Sequence, residues 1–148
     1  MRCRFLAHSV LLLMSVGSVE AQTRPPEVAA APFAVERDSA GSTRAVADKC
    51  LDALVAGLKA RGVEVARHAA LAKEDLKAAS PALLAVLGEF SRRDGQYSGE
   101  LQLLEVASGE ELRSYFVNVK DPGAAAKSCE AAAGRIAAVL QEQKAEQR

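Results

Sequence analysis

An excess of charge of either sign is missing from this chain. Its 19 Lys and Arg balance 19 Asp and Glu. That balance argues against a nucleic-acid partner or an anionic membrane surface held by bulk electrostatics. A long apolar run is also missing. The longest, Phe5 to Val16, is well short of the ~20 residues a membrane span needs, and His8 and Ser9 interrupt it. No Cys stands just after that run to take a lipid, because the only early cysteine, Cys3, precedes it. Histidine is scarce, with His8 inside the run and His68 far from it.

What is present at the start explains the short run. Arg2 and Arg4 give a positive opening, the apolar stretch follows, and Val19-Glu20-Ala21 places small residues at the −3 and −1 positions of a cleavage site. This layout predicts a secretory signal peptide over 1–21, cut between Ala21 and Gln22. Cleavage removes two arginines and one glutamate and leaves a mature chain of net charge −1. The address is then periplasmic or secreted, with no stable membrane anchor in the mature form. The remaining length suits one domain, which buries roughly two thirds of its surface on folding.

Cys50 and Cys129 stay in the mature chain. In an oxidising compartment two cysteines suggest one disulfide, the alternative being two buried, unpaired thiols. Helix patterning favours the pair. "STRAVADKCLDALVAGLKARG" opens on a capping Ser42 and closes on Gly62, with Ala47, Cys50, Leu51, Leu54, Val55 and Leu58 on one stripe. "DPGAAAKSCEAAAGRIAAVLQEQ" starts with Asp121 as cap and Pro122 at the first helical position. Its stripe is Cys129, Ala132, Ala133, Ile136, Val139 and Leu140. Each cysteine lies eight residues past its cap, about 12 Å up its helix. Parallel helices on one side of a sheet would bring them level.

Between and around these helices the pattern reads as strands. Residues 22–27 are a Pro-containing lead-in, and "EVAAAPFAV", 27–35, is a first strand of small apolar residues suited to a central position. "VEVAR", 63–67, is a second strand; about 70–80 is a short helix ended near Ser80-Pro81; "LLAVLGEFSR", 83–92, is a buried strand. Asp94-Gly95 marks a tight hairpin, "YSGELQLLEV" returns, Ser108-Gly109 turns again, and "ELRSYFVNV", 111–119, closes a meander. Tyr115 and Phe116 fall on opposite faces of that last strand, so at least one belongs to the core. The expected fold is α/β: a single domain over 28–142 with a mixed five-stranded sheet, ordered β-α-β-α-β-β-β-α along the chain, helices packed on it, and a polar tail over 143–148.

Chemistry-bearing patterns are weak. His68 has no Ser and acid grouped with it, and His68 with two distant cysteines is a poor metal set. Glu74-Asp75 and Glu110-Glu111 are adjacent acids whose side chains diverge. "GAAAKS", 123–128, lacks the second glycine and the spacing of a phosphate loop. Arg92 and Arg93 beside Tyr97 read as a solvated hairpin tip rather than a nucleic-acid platform. The reading therefore assigns no catalytic residue, no metal and no cofactor.

"PPEVAAAPFAV", "GVEVARHAAL", "LGEFSRRDGQYSGELQLLEVASGEELRSY" and the closing "AAGRIAAVL" resemble the TolB amino-terminal-domain and CsgG-like group of bacterial envelope proteins. Pro32-Phe33 matches the end of that group's first strand; Gly88, Arg93, Gly95, Tyr97, Leu101, Leu103, Val106, Ser108, Gly109 and Glu110 match its hairpin pattern. The chain departs in carrying Glu105 before Val106, a short loop at 36–43, no following propeller and no lipidation Cys. The resemblance implies a non-catalytic soluble periplasmic interaction module serving envelope assembly or export, with envelope-protein partners or self-assembly. The competing reading is a small periplasmic ligand-binding protein or hydrolase with its site in the strand-end loops.

Overall fold

The computed structural model describes residues 24–37 and 41–147; the signal-peptide assignment and the Ala21/Gln22 cut lie outside them. Strand β1 is Val28–Ala30, fully buried, and lies in parallel between two neighbours. Val28 pairs with Val65 of β3 (Val65–Arg67) on one side and with Leu84 of β4 (Leu84–Arg93) on the other. Its small residues follow from that position, because both faces of β1 are covered.

The expected first strand is split in two. Pro32 has no N–H for a ladder, and the chain bends there while Phe33 turns inward to stack on Phe90, ring centroids 5.8 Å apart. Pairing resumes in β2 (Ala34–Val35), parallel to β4 with Val35 opposite Phe90. The sheet therefore has six strands among the described residues where five were expected, in the order β3-β1-β4-β5-β6 with β2 also on β4. Strands β5 (Gln96–Glu105) and β6 (Glu111–Val119) complete the antiparallel meander.

Helices α1 (Gly41–Ala60) and α3 (Pro122–Glu146) lie side by side on one face of the sheet. They advance together: Cys50 is linked to Cys129, and Gly57 packs on Ala133 further along both helices. A Cβ at residue 57 would lie 2.8 Å from that of Ala133, so glycine sets the helix separation there. Asp121 caps α3 as its sequence position implies, accepting from the Gly123 N–H at 3.0 Å. Ser42, expected as the cap of α1, lies inside the helix. The other face of the sheet has a smaller core of Ala29, Leu76, Ala82, Ala85, Leu104 and Val106. It is covered by residues 71–82, where the expected helix shrinks to a 3₁₀ turn at Lys73–Asp75 and α2 (Leu76–Ala79). Residues 73–79 bury one side chain, Leu76, too few for an apolar stripe to sustain a longer helix.

Residues 24–27 and the end of α3 belong to the folded unit. Helix α3 runs on through Glu146, and Lys144 pairs with the buried Glu27. Glu27 also accepts from the Glu64 N–H at 3.2 Å and faces Arg24 at 3.8 Å. Burial pushes the Glu27 carboxyl up, but Lys144, the Glu64 N–H and Arg24 together hold it below the usual carboxylate range. An acid with a lowered folded pKa stabilises above its unfolded pKa, about 4.3, and that contribution disappears as pH falls through the folded value. Lys144→Ala should therefore cost about 1 kcal/mol at neutral pH. In urea unfolding against pH, the gap between parent and variant should close on the acid side. A gap that stays constant as pH falls would assign the effect to packing by the Lys stem instead.

Candidate functional site

Alternation along the meander divides its side chains between two faces. Leu84, Val86, Gly88 and Phe90 of β4, with Tyr97, Gly99, Leu101 and Leu103 of β5, face the helices and form the main core. On the opposite face, β4 presents Ala85, Leu87, Glu89, Ser91 and Arg93, apolar at one end and polar at the other. The paired residues of β5 follow the same gradient, from Leu104 through Gln102 and Glu100 to Ser98. The apolar end lies under residues 71–82. The polar end is open to solvent, as one face of an antiparallel sheet commonly is.

Phe116 breaks this pattern. It stands on the open face with 76% of its surface exposed, the one large hydrophobic so exposed among the described residues. Its neighbour Tyr115 points the other way, half-buried against the main core. Neither aromatic is a fully buried core residue, against the expectation that at least one would be: Tyr115 packs against the core and Phe116 stands in water. Phe116 lies directly opposite Glu100, and Glu100 lies directly opposite Glu89. A shallow cavity of about 390 Å³ opens here, lined among others by Glu36, Glu89, Arg93, Ser98, Glu100 and Phe116. A second depression of about 170 Å³ flanks the same glutamate pair, reaching Leu87 and Gln102. Arg93 is tied to Glu36 at 2.7 Å, and Ser114 Oγ donates to Glu111 and lies 3.4 Å from Glu100. Three carboxylates against one guanidinium leave the cavity negative.

The residues singled out from the sequence are placed as follows. Asp94 and Gly95 both take positive φ, 51° and 74°, and make the two-residue turn between β4 and β5. Gly109 has φ 73° in the second turn, where Ser108 Oγ accepts from the Glu110 N–H at 3.2 Å. Cys50 and Cys129 are bonded, with Cα atoms 5.4 Å apart. The His68 N–H donates to the Ala30 carbonyl at 2.8 Å, which fixes it as the end of the β1–β3 pairing. Arg92 lies over the Tyr97 ring at 5.1 Å and reaches Ser42 Oγ at 3.3 Å, joining the hairpin to α1. Glu74 and Asp75 are exposed on the 3₁₀ turn. No group of three His, Cys, Asp or Glu that could hold a metal occurs among the described residues. No helix among them is long and apolar enough to cross a membrane.

The open face was missed in the sequence, although a signal for it exists. The outward positions of β4 and β5 switch from apolar to polar halfway along, which marks where cover ends. Phe116 then stands out as an apolar residue on the uncovered half.

No family model and no curated protein matches the chain. Among solved structures, it is similar to lipoprotein GNA1162 from Neisseria meningitidis at TM-score 0.51 and 15% identity, covering 66% of this chain and 81% of that one. It is also similar to a PelC dodecamer chain from Paraburkholderia phytofirmans, TM-score 0.49 and 16% identity, covering 74% and 85%. TolB from Acinetobacter baumannii aligns at TM-score 0.43 and 16% identity over 66% of this chain and 24% of that one. The likeness to the lipoprotein shows a shared fold. The grouping with CsgG-like proteins stays a resemblance.

Proposed function

We propose that the mature chain is a non-catalytic periplasmic interaction module that serves a cell-envelope assembly or export system through protein contacts, self-assembly being one form of these. The observation that carries the reading is the bare half of the meander, where the sheet holds Phe116 in water at an edge strand rather than in the core. A protein of the same fold is a bacterial lipoprotein, which supports an envelope setting. The leader pattern at 1–21 supports export, and the Cys50–Cys129 bond fits an oxidising compartment.

The test is affinity capture of the tagged protein from crosslinked envelopes, with intact-mass analysis of the bait. The expected result is a bait beginning at Gln22 and either one recurrent envelope protein or a ladder of self-crosslinked forms. A clean monomer with no captured protein and a measurable turnover would overturn the reading. A bait that retains residues 1–21 would overturn the address.

A further inference from the structure

We infer that strand β6 and the acidic open face beside it receive an extended segment of a partner protein that alternates basic and apolar residues. The inference rests on the interaction reading and adds the chemistry of the partner. One exposed aromatic is ordinary on a protein surface. Three further features set Phe116 apart. Glu89 and Glu100 face each other directly across β4 and β5. Like charges in that position destabilise a sheet unless a cation lies between them. The shallow cavity beside Phe116 holds Glu36, Glu89 and Glu100 against Arg93, and Arg93 is already engaged by Glu36. Strand β6 ends the sheet among the described residues, with β5 as its neighbour on one side.

A segment that adds to β6 would use the edge for main-chain hydrogen bonds and its alternate side chains for specificity. Neighbouring strands lie about 4.8 Å apart, so Glu100 is about 10 Å from an added strand with Phe116 between them. The long stem of Lys or Arg can cross the Phe116 ring, which attracts the cation, and place the charge at Glu100, whose cross-strand neighbour is Glu89. A second copy of this chain fits less well. An isologous β6–β6 pair would extend the same acidic face across both molecules and neutralise nothing.

The probe is a synthetic peptide of alternating lysine and valine, with an alternating glutamate and valine peptide as control. Each is titrated into the isotope-labelled mature protein at low salt. The expected result is binding of the lysine peptide alone, with amide shifts concentrated at 111–119 and around Glu89 and Glu100. Phe116→Ser should weaken it about tenfold, and the double change Glu89→Gln with Glu100→Gln should weaken it and flatten its salt dependence. These three side chains are exposed, so the variants keep the fold. Equal binding of the two peptides, shifts centred on α1 or α3, or a dimer dispersed by Phe116→Ser would overturn the inference. An envelope partner whose capture survives both variants would also overturn it while leaving the interaction reading in place. Failure to capture any partner while the lysine peptide still binds in this way would count against the interaction reading and support the assignment of the surface.

Discussion

Reducing the Cys50–Cys129 bond is expected to lower the melting temperature of the protein by about 15 °C. The two cysteines are 79 residues apart in sequence, and both are fully buried between α1 and α3. Closing a loop of that length restricts the unfolded chain by about 4.5 kcal/mol in the chain-entropy account. Each kcal/mol shifts the midpoint by about 3–4 °C in a domain of this size. The main core depends on the two helices staying together on one face, since Cys50, Leu54, Ala133 and Ile136 all belong to it. Thermal unfolding with and without reductant measures the shift. Intact mass under alkylation shows whether the thiols were bonded. The Cys50→Ala, Cys129→Ala double variant should melt near the reduced parent and ignore reductant. Alkylation of both cysteines without prior reduction, and a midpoint unmoved by reductant, would show two free thiols.

Gly99→Val is expected to destabilise by about 3 kcal/mol or more. A Cβ at residue 99 would lie 2.5 Å from Phe90 Cε1 and 2.6 Å from its Cζ, closer than real contacts allow. Phe90 cannot withdraw, because it is fully buried and stacked on Phe33. Phe33 in turn occupies the place of a side chain at Gly88, 2.7 Å from the Cβ position there. Two strand glycines thus give room to two rings, one from the meander and one from the bend after β1. Phe90→Leu should itself cost about 1 kcal/mol and relieve much of the clash, so the double variant should be less destabilised than the sum of the singles. Urea midpoints at constant slope measure each term. Strictly additive costs would show that residue 99 acts through the backbone and not through Phe90.

These glycines show how the sequence and the structure divide the information. Gly88 is visible in the sequence as part of a hairpin pattern, and Gly95 and Gly109 announce their turns through the positive φ that only such residues adopt readily. Gly99 carries no local signal, because its reason is a ring from another strand. Pro32 falls inside one expected first strand, yet it marks the bend that splits β1 from β2 and swings Phe33 inward. Lys144 reads as part of a polar tail, since its partner Glu27 is remote in sequence.

By itself the sequence determined the element order of the meander, the stripes of the long helices, the Asp121 cap of α3 and the burial of both cysteines. Those features follow from periodicity, capping and turn chemistry, which act over a few residues. Tertiary structure decided that α1 and α3 share a face, that β1 lies between β3 and β4, and that β6 forms an edge. It also decided that Phe116 faces water opposite Glu100 while Tyr115 meets the core. Alternation places two neighbours on opposite faces of a strand, but only the packing of distant segments settles which face is covered and where the cover ends.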